Sequence, residues 1–212
     1  MLRVLACAVA FLVVGNLAIL AASRWMRMSA PPVAVPASVV GVKHLAAVDD
    51  HLWRGAAPTT EGYRSLATAG VTRVVDLRAE DDVDVDSSWL ASMGIDYVRI
   101  PVRDGQVPSS DEVETFLRAV RTNDGVVFVH CGAGVGRTGT MSAAWLVASG
   151  EAGAREALRR NLSVGPPSLE QLAWVARLGD GDRDDFGRPN AAVVALSRTL
   201  DAPRRLWSRF GI

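Results

Sequence analysis

The most informative part of the sequence reads Val126-Val127-Phe128-Val129-His130-Cys131-Gly132-Ala133-Gly134-Val135-Gly136-Arg137-Thr138-Gly139-Thr140. It begins with four apolar residues, which is typical of a strand buried on both faces of a sheet. Three glycines then lie between a cysteine and an arginine, and a helix is predicted from Arg137 to Ala148. This order of strand, glycine-rich turn and helix is the repeating unit of parallel α/β sheets.

Strands and helices also alternate on the N-terminal side of this stretch. Strands are predicted within Val42–Arg54 and over Val71–Leu77 and Ile95–Pro101. Helices are predicted after Pro58, from Ser87 and from the capping-box sequence Ser109-Ser110-Asp111-Glu112. We therefore predict an α/β fold with a central, mostly parallel sheet and helices on both faces.

The predicted strands bring three reactive side chains to one edge of this sheet. Arg78, Asp104 and Cys131 each follow a different strand. Because the carboxyl ends of parallel strands lie on one edge, where ligands bind in open α/β sheets, we expect the three to share a rim.

The glycine-rich turn has the composition of an anion site. Its glycines allow a tight loop whose backbone N–H groups turn inward at a helix N-terminus, an arrangement that suits a phosphate group. Arg137 can bind two phosphate oxygens with its planar guanidinium. Cys131 lies among these donors, which stabilise a thiolate and make it a nucleophile.

The arrangement His130-Cys131, five residues, Arg137-Thr138 resembles the signature of the cysteine-dependent protein tyrosine phosphatases. The stretches Leu52–Pro58 and Val74–Arg78 are similar to those of small bacterial relatives. The domain has a size similar to that of the compact dual-specificity branch. The resemblance implies the corresponding fold and a phosphomonoester hydrolase that works through a phosphocysteine intermediate.

The resemblance also implies a role for each loop residue. Cys131 would attack phosphorus, and Arg137 would bind the phosphoryl group. Thr138 would donate its hydroxyl to the thiolate, and His130 would orient the loop. Substrate phosphate would be bound by the backbone N–H groups of Gly132, Ala133, Gly134, Val135, Gly136 and Arg137.

A general acid must protonate the leaving alkoxide or phenolate. In the family this acid is an aspartate on a loop upstream of the cysteine, and the segment Val98–Pro108 resembles that loop, with Asp104 in the matching place. The tryptophan of the tyrosine-specific branch is absent from it. Asp111, in the first turn of the next predicted helix, is the competing candidate. The acidic run Asp81, Asp82, Asp84 and Asp86 ranks below both.

Three further residues are candidates for the site or its support. Arg78 would contact substrate or form a salt bridge with an acidic neighbour such as Glu80. Gln171 would help to place the hydrolytic water, by resemblance, but an exposed helical glutamine is the favoured interpretation. Arg54 is interpreted as structural.

The N-terminal residues form an apolar run. Only Gly15 and Asn16 interrupt it between Val4 and Ala22. Its length approaches the roughly 20 residues that a helix needs to cross a bilayer and exceeds the roughly 7–15 of a signal-peptide core. We therefore predict one transmembrane helix within residues 1–28, anchoring the chain in a bacterial plasma membrane. A signal peptide cleaved near Ala21-Ala22-Ser23, which would give a secreted protein, is the alternative.

The remaining chain divides into three parts. Residues 29–38 contain three prolines and are predicted to be an extended linker. Residues 39–179 form the predicted phosphatase domain. Residues 180–212 are a C-terminal extension, in which a helix is predicted from Ala191 to Leu200.

Composition and charge restrict the classes of partner and cofactor that we expect for this chain. The chain has 23 Lys and Arg residues and 23 Asp and Glu residues, so its zero net charge gives no support to nucleic-acid binding. Its histidines and two cysteines match no zinc-site spacing, and we expect neither a metal nor another cofactor. We expect the substrate to be a phosphotyrosine-containing protein, with phosphoserine or phosphothreonine as a further possibility. A phospholipid or other non-protein phosphomonoester, and a non-enzymatic phosphate-binding module, are the alternatives.

Overall fold

A computed structural model describes residues 2–80, 85–179, 186 and 189–209. Five strands form one sheet in the order β1-β2-β5-β3-β4. They are β1 (Ala46–Ala47), β2 (Leu52–Ala56), β3 (Val71–Arg78), β4 (Asp96–Val102) and β5 (Val126–Cys131). Only the short β1 is antiparallel to its neighbour, so the prediction of a mostly parallel sheet is confirmed.

The described helices are α1 (Leu2–Ser29), α2 (Thr60–Thr68), α3 (Ser87–Ser92), α4 (Ser110–Arg121), α5 (Gly136–Ala148), α6 (Ala154–Val164), α7 (Leu169–Val175) and α8 (Ala191–Arg209). Their starts follow local capping rules. Ser109 and Glu112 form the predicted capping box of α4. Asp86 caps α3 by accepting the N–H of Trp89, whereas Asp81, Asp82 and Asp84 lie outside the described residues.

Buried apolar side chains from the sheet and the helices form two clusters. One contains Phe116 of α4, Met141 of α5 and Trp174 of α7. The other contains Tyr63 and Leu66 of α2. Strand β5 lies in the middle of the sheet, and all its residues except the first are buried. This burial fixes the position of the strand end from which the glycine-rich loop starts.

The N-terminal segments lie against this domain. In the proline-rich linker, Val33 forms an antiparallel bridge with Ala47 of β1, and Val35, Ala37 and Val39 pack against the second cluster. The linker therefore packs against the domain over part of its length. Within α1, Val9–Ser29 is apolar and long enough to cross a membrane by length and composition, with 6% of its most apolar window buried. The same test is passed by signal sequences.

The C-terminal extension contains the predicted helix, and this helix is longer than expected. The sequence predicts a helix from Ala191 to Leu200, whereas α8 continues to Arg209. Helix α6, which the sequence analysis did not predict, supplies part of the surface on which α1 lies.

Candidate active site

Cys131 lies at the end of β5, at the start of the turn that leads into α5. Its side chain is buried, and the backbone N–H of Gly134 donates to Sγ at 3.3 Å. The thiol is therefore surrounded by the loop that follows it. The role of Cys131 as a nucleophile stays a prediction.

The loop turns its carbonyl groups outward. The N–H of Ala57, the Nδ1 of His44 and the Nη2 of Arg54 contact the carbonyl oxygens of Gly132, Ala133 and Gly134 at 3.1, 2.8 and 2.9 Å, respectively. Since each carbonyl oxygen has a partner outside the loop, the N–H groups can face the centre of the loop. That arrangement is the requirement for binding an anion with backbone donors.

Gly134 makes this loop geometry possible. Its φ is +72°, a conformation that favours glycine. A Cβ atom at this position would lie 2.3 Å from the backbone N of Ala56 and the carbonyl carbon of Gly55. The loop therefore approaches β2 too closely for any other residue.

Arg54 supports the loop from β2. Its Nη2 donates to the carbonyl oxygens of Gly134 and Val135, at 2.9 and 3.3 Å. Burial lowers the pKa of Arg54 to about 10, against the opposing effect of Cys131. Arg54 stays cationic at neutral pH and places a positive charge behind the loop.

Arg137 lies between two acidic residues. Its guanidinium is buried and makes two 3.0 Å contacts with the carboxylate of Glu80. Its Nε lies 3.2 Å from Oδ1 of Asp104, and its Nη1 donates to the carbonyl of Val102 at 3.2 Å. Burial alone would lower the pKa of Arg137, but the hydrogen bond that it donates to Glu80 and the charges of Cys131 and Asp104 raise it above its ordinary value. Arg137 is held ready to bind an anion.

Asp104 is brought to the loop as the strand-end argument predicts. It lies in a turn after β4 in which Gly105 has a φ of +72°. Its side chain is 70% exposed, so it faces the space in front of the loop. The competing candidate, Asp111, is exposed in the first turn of α4, and among the described contacts it makes none with Arg137.

Gln171 is buried, so the prediction of an exposed helical glutamine is wrong. Its side chain is 1% exposed, because its Oε1 accepts the N–H of Ser168 and its Nε2 donates to the carbonyl of Gln106. It also packs against Gly136, where an added Cβ would meet Oε1 at 2.5 Å. Gln171 thus joins the Asp104 loop to the start of α5.

Arg78 forms a salt bridge with an acidic neighbour, one of the two predicted alternatives, and that neighbour is Asp76. Its guanidinium lies 2.6 Å from the carboxylate of Asp76, which also accepts the hydroxyl of Tyr97 at 2.7 Å. Burial would raise the pKa of Asp76, yet the hydrogen bonds from Arg78 hold it below its usual range. Of the three predicted strand-end residues, Cys131 and Asp104 therefore lie at the loop, whereas Arg78 forms its salt bridge beside it.

His130 lies beneath the loop as a neutral residue. Burial lowers its pKa to about 4, more than the nearby charge of Asp76 raises it. Its Nδ1 lies 3.3 Å from the carbonyl oxygen of Cys131, and its Nε2 lies 3.4 Å from the hydroxyl of Tyr63. This geometry suits a residue that orients the loop. The sequence analysis assigned no role to Asp76 or Tyr63, although Asp76 lies in the stretch Val74–Arg78 that resembles small bacterial relatives.

Thr138 follows Arg137 at the start of α5. Its hydroxyl is buried, and it makes no hydrogen bond within the part of the chain that the structure describes. The predicted donation to the thiolate of Cys131 stays a prediction.

A cleft of about 260 Å³ lies beside the loop; Cys131 and Arg137 are not among the residues that line it. Its lining includes Asp104, Val135, Pro166, Gln171 and, from α8, Asp201. The C-terminal extension therefore contributes one wall of the site, which the sequence analysis did not predict.

This combination of fold and loop defines the cysteine-dependent protein tyrosine phosphatase superfamily, in its dual-specificity branch. Within it, the chain belongs to the family described as DSP-PTPase phosphatase fused to NAD+ kinase, which matches residues 39–177.

Individual relatives are more distant. The tyrosine-protein phosphatase cdc-14 of Caenorhabditis elegans is 38% identical over 77 residues, which are 36% of this chain and 10% of that protein. Curated relatives of this kind are thus matched over about a tenth of their length. Pseudomonas aeruginosa TpbA in complex with pTyr has a TM-score of 0.56 at 22% identity, covering 74% of this chain and 94% of TpbA. PTPMT1 in complex with PI(5)P has a TM-score of 0.56 at 21% identity, covering 64% and 94%. At these identities the solved structures show a shared fold.

Proposed function

We propose that this chain hydrolyses phosphomonoesters through a phosphocysteine intermediate, with phosphotyrosine in proteins as the main substrate. The observation that carries this proposal is the loop between Cys131 and Arg137, in which the carbonyl groups of Gly132, Ala133 and Gly134 are bound from outside the loop beside a buried thiol. A loop of this kind binds a phosphate dianion and stabilises the charge of the transition state without a metal.

In the first step the Cys131 thiolate attacks phosphorus, and the bond from phosphorus to the ester oxygen breaks. Arg137 and the loop N–H groups stabilise the equatorial oxygens. Asp104 protonates the leaving oxygen, because its exposed carboxyl lies on the open side of Arg137.

In the second step water attacks the phosphocysteine, and the sulfur leaves as thiolate. Asp104 then takes a proton from the water, so the same residue acts first as acid and then as base. The Thr138 hydroxyl would stabilise the departing thiolate. Gln171 acts on this step through the Asp104 loop, since both of its amide atoms are hydrogen-bonded.

A phospholipid or another non-protein phosphomonoester is the second candidate substrate. The apolar helix α1, which we propose attaches the chain to a membrane, favours it by raising the local concentration of lipid. The solved complexes of TpbA with pTyr and of PTPMT1 with PI(5)P give the fold precedent for each class. Cleavage of the N-terminal segment as a signal peptide would remove this advantage.

Hydrolysis of an aryl phosphate by the full chain, in the presence of a chelator, tests the chemistry. We expect Cys131→Ser to abolish turnover. Asp104→Asn should lower kcat by about 10²–10⁴-fold and remove the fall in activity at high pH, because the deprotonated acid no longer limits the reaction. Asp111→Asn is the matched control and should behave like the wild type.

Two results would contradict the proposal. Full activity in Asp104→Asn with loss in Asp111→Asn would move the acid to α4. A folded wild type that binds vanadate but turns over no ester would indicate a phosphate-binding module. The substrate class is then decided by comparing kcat/KM for a tyrosine phosphopeptide with kcat/KM for a phosphomonoester lipid in vesicles.

A further inference from the structure

Helix α1 is docked on the catalytic domain along one side. Its half-buried or buried positions are Leu12, Gly15, Asn16, Ile19, Ala22, Ser23 and Met26. These positions recur every three or four residues, so they form one stripe of a helix with 3.6 residues per turn. The stripe extends along most of the apolar segment Val9–Ser29.

Polar contacts fix the two ends of this stripe. Asn16 donates to the carbonyl of Leu200 in α8 at 3.1 Å. Ser23 donates to the carbonyl of Leu162 in α6 at 2.8 Å. The guanidinium of Arg27 donates to Ser163, at 3.1 Å, and to Val164. The last carbonyls of a helix have no partner within it, so Arg27 caps the C-terminal end of α6.

Both contact points lie next to the catalytic cleft. Leu200 precedes Asp201, which lines the cleft. Val164 precedes Gly165, which packs so closely on Val135 of the catalytic loop that an added Cβ would lie 2.7 Å from its side chain. The docked α1 therefore flanks the active site.

The opposite face of α1 is entirely apolar between residues 9 and 21. Its exposed positions are Val9, Ala10, Phe11, Val13, Val14, Leu17, Ala18, Leu20 and Ala21. At about 100° per residue they cover more than half of the helix circumference. A partner helix or sheet needs a narrower stripe, whereas a lipid leaflet surrounds every exposed side chain. Trp25 and Arg24, exposed at the end of the segment, are the residue types found at the border between lipid and water.

The docked arrangement does not permit α1 to cross a bilayer. Asn16 lies about 20 Å along the helix from Ser29, at 1.5 Å per residue. A crossing helix with Ser29 at the membrane surface would therefore carry Leu200, and with it Asp201 and Arg198 of α8, deep into the hydrocarbon. Charged residues at that depth are strongly disfavoured.

We propose that α1 binds one leaflet of a lipid bilayer as an in-plane helix, with its docked stripe on the catalytic domain and its exposed apolar face among the acyl chains. The catalytic cleft is then held at the membrane surface by α6 and α8. This arrangement replaces the predicted transmembrane crossing, and it does not depend on which phosphomonoester is the substrate.

Depth measurements on the full chain test this arrangement. Single cysteines are introduced as Val9→Cys, Val13→Cys, Leu17→Cys or Leu20→Cys in a Cys7→Ser, Cys131→Ser background and labelled with a nitroxide. The protein is reconstituted into phosphatidylcholine and phosphatidylglycerol vesicles, and collision with oxygen and with a water-soluble nickel chelate reports depth. We expect one common depth for all four labels. A steady change of about 16 Å from residue 9 to residue 20 would show a crossing helix and overturn the proposal. Labels exposed to water, or shielded from both reagents by a second copy, would also overturn it.

A docking variant shows whether the domain contacts keep the helix in plane. Ser23→Ala with Arg27→Ala removes the contacts to α6, and we expect it to convert the common depth into a gradient. Arg24→Ala is the matched control, because Arg24 is exposed on the same helix. It should keep the common depth. An unchanged profile in the double variant, with the domain still folded by circular dichroism, would contradict the role assigned to docking.

Discussion

The catalytic loop and the Asp104 loop meet at Arg137, but they are held in different ways. In the first, Arg54, His44 and Ala57 each contact a carbonyl group. In the second, Asp104 is mostly exposed and touches Arg137 through one 3.2 Å contact. The turn behind it is joined to α7 through hydrogen bonds from Ser168 and Gln171.

This difference matches the two chemical tasks that we propose for these loops. An anion site works best when its donors are already oriented, since reorganising them would cost free energy in the transition state. A general acid must instead meet leaving groups of different shape, which requires space in front of the loop. We therefore expect changes in the catalytic loop to be more damaging than changes around it.

The strongest test of this comparison is Gly134→Ala. The new Cβ would meet the β2 backbone at 2.3 Å in a conformation with φ of +72°, so the loop must move. We expect kcat/KM for an aryl phosphate to fall by at least about 10³-fold, comparable to the loss of an oriented oxyanion donor.

Gly150→Ala is the matched control, because Gly150 has a φ of +80° but an added Cβ there meets nothing within 4 Å. It should cost only about 1 kcal/mol of stability. Equal activities for the two variants would show that the loop is adjustable.

A second test is Arg137→Lys, which keeps the charge but removes the planar guanidinium. Lysine cannot contact Glu80, Val102 and a phosphate together, so we expect kcat/KM to fall by about 10²–10³-fold. Arg118→Lys, on the surface of α4, is the control and should retain wild-type activity. A loss of less than tenfold in Arg137→Lys would show that charge alone is sufficient.

The sequence predicts the catalytic loop better than its surroundings, for a physical reason. The glycines, Cys131 and Arg137 are adjacent in the chain, so local geometry specifies their relation. The parallel sheet then explains why Asp104 arrives at the same edge. Both features are visible in spacing and periodicity.

Contacts between distant segments have no such pattern. The sequence analysis placed Gln171 on an exposed helix face, yet α7 turns it towards the Asp104 loop. It expected an acidic neighbour for Arg78 but could not tell which one: Asp76 on the same strand forms the salt bridge, and the carboxylate of Glu80, given as an example, reaches Arg137 instead. It also did not predict that α1 contacts the domain, because the partners of Asn16 and Arg27 lie more than 130 residues away. These relations depend on packing that the sequence alone does not display.

The support beneath the catalytic loop gives a third prediction, on stability. The folded state keeps His130 neutral with a pKa of about 4, whereas the unfolded chain takes up a proton near pH 6.5. Stability should therefore fall as the pH is lowered from about 6.5 to 4, by roughly 3 kcal/mol in total. Urea unfolding of the wild type and of His130→Gln at pH 7 and pH 4.5 measures this. In His130→Gln, most of the difference in unfolding free energy between pH 7 and pH 4.5 should disappear. His51→Gln, which changes an exposed histidine, should retain this difference. An unchanged difference in His130→Gln would place the responsible group elsewhere.

The smallest effect is expected at Glu80, which lies on the border between the two loops. Its carboxylate makes two 3.0 Å contacts with Arg137, but its side chain is 43% exposed. Water can therefore replace much of the stabilisation that this ion pair gives to Arg137. Burial would raise the pKa of Glu80, but the hydrogen bond and charge of Arg137, together with backbone hydrogen bonds, hold it below its usual range, so the residue is ionised at neutral pH. Glu80→Gln keeps the shape and removes the charge. We expect KM for an aryl phosphate to change by less than about tenfold with kcat nearly constant, as for other partly exposed ion pairs. Glu114→Gln, on the exposed side of α4, is the control. A loss in kcat as large as that of Arg137→Lys would show that Arg137 depends on Glu80 for its orientation. The catalytic loop would then extend functionally to β3.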